Sequence, residues 1–313
     1  MVKVLEAVPN FSEGRDLAKV RALVDVVARA GVEVLDWSAD GDHHRSVITY
    51  IGDPGEVEAA SLDAARLALE QIDLRSHRGV HPRVGALDVL PFVPLHGLTM
   101  SDAVGSARRV GAELGRMGIP VFYYGWASSP PGRGLAELRR GGFEAWAAGF
   151  PPAHRPDEPA GASAPHATAG FTCVGAREVL LAWNVFLADV DLPAARAVAR
   201  KIRERDGGFR GLRALGLHLP HGNRVQISMN LEDPVGTSPL DVLAAIEAEV
   251  VERGGRIVET EVIGMVPDTL VHPSPVNRLV LPDLGPARVL SHRVAQHVRA
   301  RTLGRTEISE SAE

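Results

Sequence analysis

Helix and strand patterns alternate along most of the 313-residue chain, and this alternation constrains the fold more than any single motif. A helix is predicted over residues 55–71, where apolar side chains recur at helical spacing. Apolar runs typical of strands lie on either side of it, over residues 47–51 and 86–93. A similar alternation resumes beyond residue 178. We therefore predict an α+β fold in two subdomains.

The predicted organisation has three parts. The N-terminal subdomain covers residues 1–178, the C-terminal subdomain covers 179–302, and residues 303–313 are predicted to be a disordered tail. The other predicted elements are strands over 2–8, 32–35, 120–124, 179–187, 212–219, 224–230 and 257–263, and helices over 17–30 (capped by Ser12 or Asp16), 101–117, 192–205, 238–251 and 287–302.

Composition narrows the class of protein. A hydrophobic content of 45% is enough to build a core, and a net charge of −5 argues against general nucleic-acid binding. No apolar run reaches membrane-spanning length, and no signal peptide is visible, so a cytoplasmic location is expected. The lone cysteine, Cys173, excludes an internal disulfide and is interpreted as a buried apolar residue.

Four side chains capable of chemistry lie in one irregular loop before the apolar run over 86–93. His77, Arg78, His81 and Arg83 are interspersed with a glycine and a proline, which keep the segment out of a helix. Imidazoles titrate near neutral pH, and guanidinium groups bind anions. The alternative interpretation is a turn between core elements with solvated polar residues.

A second polar cluster follows the apolar run over residues 32–35. It reads Asp40, Gly41, Asp42, His43, His44, Arg45, and a strand pattern comes directly after it. The two clusters are therefore two loops at strand edges, and we expect that they can meet at one site.

Residues 125–170 change in character and are dense in proline, glycine, alanine and serine. A segment of this length without clear periodicity is a functional loop, a linker or disordered. Small residues would also let backbone amides approach a flat ligand closely.

Several long motifs resemble the formiminotransferases (glutamate formimidoyltransferases). They are Val8–Arg15 (VPNFSEGR), the loop 77–88, residues 42–47, 175–177 leading into 182–185, 226–231 and 263–267. One departure is His44, where the family usually has asparagine. The resemblance extends from about residue 3 to about residue 285. In animals this domain is fused to a cyclodeaminase, which these 313 residues do not contain.

The resemblance implies a fold and an activity. The fold would be a pair of ferredoxin-like α/β sandwiches. The reaction would move a formimino group from N-formimino-L-glutamate to N5 of tetrahydrofolate, as a step of histidine degradation and one-carbon metabolism. Tetrahydrofolate would be a cosubstrate, no metal would be needed, and the protein would be a homodimer, with a separate cyclodeaminase as a further partner. Neither a nucleic acid nor a membrane is expected as a partner.

The resemblance also implies residue roles. His81 precedes Pro-Arg, as the family's catalytic histidine does, and would carry the proton from N5 to the leaving glutamate nitrogen. We expect Asp40 or Asp42 to pair with the amidinium, and Arg45, Arg78 and Arg83 to bind carboxylates. We expect His77 to orient the loop or folate, and Asn10 and Asn230 to bond the pterin edge. The residues expected to contact folate are Gly161, Ala162, Ser163, Ala164, Pro165, His166, Ala167, Thr168, Ala169 and Gly170. An aspartate that caps a turn, or an Arg–Asp pair within a loop, is the structural alternative for each.

Two functions from other classes stay open at this point. Asp40, Asp42, His43, His44, His77 and His81 are all good metal ligands, which would suit a metal-dependent amidine or amide hydrolase. The glycine and proline in the loop argue against a helical zinc motif there. A folate-binding protein without catalysis is the other alternative. Whether the transferred group is formimino or formyl is left open by the residues.

Overall fold

The predicted alternation of helices and strands forms two units in the computed structural model, which describes residues 1–151, 154–270 and 285–310. Unit 1 contains Met1–Arg177 and the C-terminal residues from Val294, whereas unit 2 contains Glu178–Arg293. The chain therefore divides beside the predicted boundary at residue 178, but the end of the predicted C-terminal subdomain belongs to unit 1.

Unit 1 is built on a seven-stranded sheet. Its strands are β1 (Leu5–Ala7), β2 (Asn10–Phe11), β3 (Glu33–Asp40), β4 (Arg45–Gly52), β5 (Leu87–Pro94), β6 (Val121–Gly125) and β7 (Thr172–Ala176). Its helices are α1 (Leu17–Arg29), α2 (Pro54–Gln71), α3 (Met100–Arg116), α4 (Leu135–Leu138) and α5 (Gly142–Trp146).

The first half of this sheet has ferredoxin-like topology. Strands β1 and β2 act as one interrupted strand, because both pair antiparallel with β4 and with β5. The order is then β3, β4, β1/β2, β5, and α1 and α2 make the two crossovers. Strand β7 pairs in parallel with β5 and β6 and extends the sheet. Apolar side chains of the sheet and of helices α1, α2 and α3 form one buried core.

Unit 2 repeats the same topology. It contains β8 (Leu181–Ala188), α6 (Leu192–Ile202), β9 (Leu212–Leu219), β10 (Arg224–Leu231), α7 (Pro239–Glu252) and β11 (Arg256–Ile263). The strand order is β11, β8, β10, β9, with antiparallel pairing throughout. The expected α+β fold with two ferredoxin-like sandwiches is thereby confirmed.

Local signals in the sequence explain where the helices of unit 1 begin. Asp16 caps α1 by accepting from two backbone amides, whereas Ser12, the other candidate cap, donates to the carbonyl of Gly85 at 2.7 Å. Asp53 and Glu56 form a capping box at the start of α2. Ser12 therefore connects the N-terminal motif to the end of the loop over residues 77–85, which is called the histidine loop below.

The proline- and glycine-rich segment is an ordered part of unit 1 wherever it is described, and so it is not a linker. It contains α4 and α5, whose Leu138 and Trp146 are buried with Phe150 against Phe122 and Phe171. The rings of Phe150 and Phe171 meet edge to face, with centroids 5.6 Å apart. Residues 152 and 153 lie outside the described residues.

The C-terminal helix α8 (Leu290–Glu310) extends beyond its predicted end. Residues 303–310, predicted to be disordered, continue the helix, and residues 311–313 lie outside the described residues. The helix contacts other parts of unit 1, because His297 lies 2.7 Å from Glu33 and Arg301 pairs with Glu56 at 2.5 Å.

Within the described ranges, no helix has the length and apolar character needed to cross a membrane.

Candidate active site

The two polar loops of the sequence meet in unit 1. The backbone amide of Val80 donates to the carbonyl of Asp42 at 2.9 Å. A Cβ on Gly79 would lie 2.2 Å from the carbonyl oxygen of His43, so a side chain there would push the loops apart. The rings of His43 and His81 consequently lie with centroids 5.6 Å apart. Loops that are distant in sequence thus form one cluster.

His81 is half-buried at the centre of this cluster. Its Nδ1 lies 2.9 Å from the carbonyl oxygen of Pro82 and 3.0 Å from Nη2 of Arg139. Burial lowers the pKa of His81 well below its usual value, and the nearby cations Arg139 and Arg45 lower it further. The imidazole is therefore neutral at neutral pH, whereas the sequence interpretation placed its titration near pH 7.

Two groups lie within hydrogen-bond distance of Nδ1 of His81. A protonated Nδ1 would donate to the carbonyl of Pro82, whereas an unprotonated Nδ1 would accept from Nη2 of Arg139. Nη2 of Arg139 also forms an ion pair with Oδ2 of Asp88 at 2.9 Å. No protein group among the described residues bonds to Nε2 of His81.

Asp88 organises the positive charge of the site. Its side chain is fully buried on β5, where Oδ1 accepts from the backbone amide of Val84 at 2.7 Å and Oδ2 pairs with Arg45 at 2.5 Å and with Arg139. Burial alone would raise the pKa of Asp88, but Arg139 and Arg45 outweigh it and hold the pKa below the usual value. Asp88 is therefore an anion that neutralises only one of two cations.

Sequence reasoning missed Arg139. It follows α4 in the segment that lacked clear periodicity, and its side chain is 12% exposed. Only the motif match of the loop through Asp88 pointed to this region, because an aspartate in an apolar strand pattern gives no sign of what it binds. The proline- and glycine-rich segment thus contributes the side chain of Arg139 directly to the cluster around His81.

Arg83, in the same loop as His81, makes contacts that stabilise the loop. Its Nε donates to Nδ1 of His77 at 2.9 Å, and its two terminal nitrogens each lie 2.6 Å from an oxygen of Glu144 on α5. His77 therefore donates through Nε2 to the carbonyl of His44, at 2.7 Å. Burial lowers the pKa of His77 to about 4, so this ring is also neutral at neutral pH.

The ring of His44 stacks on that of His77 with the ring planes 9° apart. The backbone of His44 has a φ of +51°, a left-handed conformation that asparagine adopts more readily than most residues. Its ring nitrogens lie 3.0 Å from the carbonyl of Arg78 and 3.1 Å from Oε1 of Glu13. Both ring nitrogens of His44 thus face an oxygen atom of the protein.

Of the two aspartates offered for the amidinium, Asp40 has a structural contact. Its Oδ1 accepts from the backbone amide of His43 at 2.7 Å and so caps the turn. Asp42 is half-buried in the same turn, beside Val80 of the facing loop. Their role toward a substrate stays a prediction.

The two other arginines predicted to bind carboxylates differ in their surroundings. Arg45 is committed to Asp88 and to Oδ1 of Asn10, which accepts from its Nε at 3.1 Å and its Nη2 at 2.8 Å. Burial lowers the pKa of Arg45 to about 10, so it stays a cation at neutral pH. Arg78 is exposed and donates only to backbone carbonyls among the described residues.

The asparagines predicted to bind the pterin lie in different units. Asn10 uses its oxygen for Arg45, and its Nδ2 donates to the carbonyl of Val8 at 2.8 Å. Asn230 is exposed on β10 of unit 2. The structure thus gives Asn10 a positioning contact, and pterin binding by either residue stays a prediction.

The segment predicted to contact folate, residues 161–170, ends against the base of the histidine loop. The carbonyls of Thr168 and Ala169 each accept at 2.8 Å, from the amides of Leu74 and Ala86 respectively. At Gly170, with a φ of +69°, a Cβ would lie 2.0 Å from the carbonyl oxygen of Val84. This part of the segment is therefore fixed beside the site, while the exposed residues before it include Gly161, Ser163 and Ala164.

The six residues considered as metal ligands do not form a metal site in the described part of the chain. No group of three or more His, Cys, Asp or Glu side chains there could hold an ion. Both ring nitrogens of His77 and of His44 are bonded to protein groups. Cys173 is buried, as expected, and burial raises the pKa of its thiol, so it is not a nucleophile.

Comparison with known proteins decides the family. The profile of the formiminotransferase domain, N-terminal subdomain, matches residues 4–177, and that of the formiminotransferase domain matches residues 182–274. The chain belongs to the formiminotransferase family. Both subdomains of the family fall on the two units of the fold, and the boundary between the matches agrees with that between the units.

Several known formimidoyltransferases are similar in sequence to most of this chain. A glutamate formimidoyltransferase of Streptococcus pyogenes serotype M1 is 37% identical over 273 residues, covering 85% of this chain and 90% of the relative. One of Thermoplasma acidophilum is 36% identical, with 85% and 89% covered. The formimidoyltransferase-cyclodeaminase of Sus scrofa is 36% identical, and the match covers 85% of this chain and 51% of that protein.

Proposed function

We propose that this protein is a glutamate formimidoyltransferase, which transfers the formimino group of N-formimino-L-glutamate to N5 of tetrahydrofolate. The observation that carries the proposal is the state of His81 in a chain of this family. The ring is neutral, its Nδ1 lies between Pro82 and Arg139, and its Nε2 has no protein partner among the described residues. In the proposed tautomer Nδ1 carries the hydrogen and Nε2 holds the lone pair. Such a nitrogen can accept one proton and return it.

The chemistry needs no nucleophile from the protein. The amine N5 attacks the amidine carbon of the donor, and its proton passes to Nε2 of His81. The tetrahedral intermediate collapses when the resulting imidazolium gives that proton to the glutamate nitrogen. The C–N bond to glutamate then breaks, and 5-formimino-tetrahydrofolate and glutamate result. His81 returns to its neutral form, so the proton balance closes.

The surrounding residues keep His81 ready for this task. Arg139 and Arg45, held by Asp88, disfavour a second proton on the resting imidazole. The imidazolium that forms during the reaction is therefore a strong acid, which favours rapid return of the proton to the leaving nitrogen. His77 and Arg83 support the loop from its other side through the pair with Glu144.

The first experiment is product detection. Purified protein, N-formimino-L-glutamate and tetrahydrofolate should yield 5-formimino-tetrahydrofolate, and N-formyl-L-glutamate in place of the donor should react far more slowly. Equal or faster reaction with the formyl donor would reassign the transferred group. Folate binding without turnover of either donor would identify a binding protein instead.

We also propose that no metal takes part. A single imidazole accounts for both proton transfers, and the ring nitrogens of His44 and His77 are already bonded to protein groups. Activity should survive exhaustive dialysis against EDTA, with no stoichiometric zinc, iron or manganese in the active protein. Loss of activity that a divalent ion restores would favour the metal-dependent hydrolase.

Three properties of the assembled system follow as proposals. The protein is a cytoplasmic homodimer, and its product passes to a separate cyclodeaminase. The resemblance to the formiminotransferase family supports the dimer and the location. The Sus scrofa relative is named formimidoyltransferase-cyclodeaminase, and the match covers 51% of it, which supports a separate cyclodeaminase as the partner. Analytical ultracentrifugation tests the dimer. The purified chain should release no ammonia from 5-formimino-tetrahydrofolate until a cyclodeaminase is added.

A further inference from the structure

The two arginines beside His81 carry one positive charge more than their described ion-pair partners balance. Arg45 and Arg139 share the single buried carboxylate of Asp88, and neither has another acidic partner in the part of the chain that the structure describes. The neutral imidazole of His81 lies against the same guanidinium of Arg139. A half-buried site with an excess cation favours an anionic ligand.

Of these two arginines, Arg139 is the one whose guanidinium group has N–H donors without a protein acceptor among the described residues. Arg45 bonds through three of its nitrogens to Asn10 and Asp88. Arg139 bonds only through Nη2 within the described residues. Its Nε is buried without an acceptor, and Nη1 has no protein partner there either. Buried donors are nearly always paired, so the protein leaves this guanidinium incomplete at the point where a ligand would enter.

We propose that Arg139 binds the α-carboxylate of the amino-acid donor and so places the leaving nitrogen beside His81. This inference rests on the proposed function, which supplies a dicarboxylate donor. In N-formimino-glutamate a single carbon separates the α-carboxylate from the nitrogen that departs. A carboxylate held at Arg139 therefore brings that nitrogen to the imidazole that must protonate it.

The other arginines of the site are less suited to this role. Arg83 spends both terminal nitrogens on Glu144, and Arg45 has no open fork. Arg78 is exposed and lies at the outer side of the loop, where it suits the more distant γ-carboxylate or the glutamate tail of folate. Arg139 is thus the arginine that combines burial, contact with His81 and uncommitted donors.

The test compares two donors in two enzymes. N-formimino-4-aminobutyrate differs from N-formimino-glutamate only in lacking the α-carboxylate. In the parent enzyme its kcat/KM should be lower by about 10- to 100-fold, the size of a charged hydrogen-bonded contact. In Arg139→Gln this difference should shrink to within about threefold, because the variant no longer senses the carboxylate. Arg139→Lys, which keeps a cation beside Asp88, should give an intermediate value.

Arg140→Gln is the matched control, since this neighbouring arginine is exposed and makes no ion pair among the described residues. It should keep the full discrimination and an unchanged KM for tetrahydrofolate. The proposal is overturned if the parent enzyme turns over both donors equally, or if Arg139→Gln still discriminates between them. A raised KM for tetrahydrofolate with donor discrimination intact would assign Arg139 to the folate tail instead.

A binding measurement separates this inference from the proposed function. Calorimetric titration with L-glutamate and with 4-aminobutyrate needs no turnover. Tighter binding of glutamate, lost in Arg139→Gln and kept in Arg140→Gln, supports the carboxylate site even in a preparation that transfers nothing. Equal binding of the two ligands by the parent protein contradicts it, whatever the activity assay gives.

Discussion

Arg83 and Glu144, 61 residues apart in sequence, form a two-pronged ion pair in which each nitrogen–oxygen distance is 2.6 Å. The pair joins the histidine loop to α5. It also indicates a role for the proline- and glycine-rich segment, because the short helices of this segment place Glu144 and Arg139 against one side of the loop. The segment is therefore part of the active site's framework.

Breaking this pair should loosen the loop without removing a substrate contact. Glu144→Gln should lower the free energy of unfolding by about 1 kcal/mol, a modest loss because the carboxylate is largely exposed. Since the loop carries His81, kcat should fall severalfold while the KM for each substrate changes little. Thermal melts and steady-state kinetics measure both. Glu137→Gln, at an exposed position on α4, should match the parent protein.

Removing the proposed proton carrier should have the largest effect on chemistry. His81→Ala should lower turnover by roughly 10²–10⁴-fold, the usual contribution of a positioned acid–base group. The affinity for tetrahydrofolate should stay nearly intact. His96→Ala, at an exposed position away from the loop, serves as the control. Turnover of His81→Ala within about threefold of the parent would remove His81 from this role.

The pH dependence of the rate should report the unusual state of His81. Neutral His81 is the active form, and its pKa lies well below 6.5 because of burial and the arginines beside it. The kcat/KM should therefore rise with pH on the acid side of 6.5 and be flat through neutrality. Arg139→Gln removes one cation and should move the step to higher pH. A rise centred at or above pH 7 in the parent would contradict the neutral resting state.

The sequence predicts the fold well where periodicity is strong. Helix α1 was predicted over 17–30 and extends over Leu17–Arg29, because its apolar stripe and the cap at Asp16 are both local signals. The segment containing α4 and α5 was not resolved into elements. Helices of four and five residues are too short to show a period, and their position depends on burying Leu138 and Trp146.

The active site is predictable in part for the same reason. The loop with His77 and His81 stands out through residue types alone, and the structure brings the loop of Asp40 and Asp42 to it, as expected. The partnerships within the site are not local. Which arginine meets Asp88 depends on chain segments distant in sequence, so Arg139 could not be distinguished from the other arginines of its segment.

His77 should make the protein less stable as the pH falls from 6.5 to 4. Its pKa is about 4 in the folded protein, against 6.5 for an ordinary histidine, so the unfolded chain takes up the proton first. The stabilisation is complete above pH 6.5 and is lost as the pH falls to 4, by roughly 3 kcal/mol. Denaturant titrations at a series of pH values measure this slope.

The matched variant for that experiment is His77→Gln, which keeps a donor and an acceptor but does not titrate in this range. Its unfolding free energy should depend less steeply on pH between 4 and 6.5, with the remaining slope due to groups such as His81. His96→Gln should keep the parent's slope. An identical slope in His77→Gln and the parent would mean that His77 does not resist protonation in the folded protein.

The most direct test of the central claim is whether glutamate release requires folate. If His81 passes the proton of N5 to the glutamate nitrogen, N-formimino-L-glutamate alone should be stable in the presence of the protein. Addition of tetrahydrofolate should then release glutamate in a one-to-one ratio with 5-formimino-tetrahydrofolate. Glutamate release at the same rate without tetrahydrofolate would show hydrolysis, and would contradict a transfer mechanism built on His81.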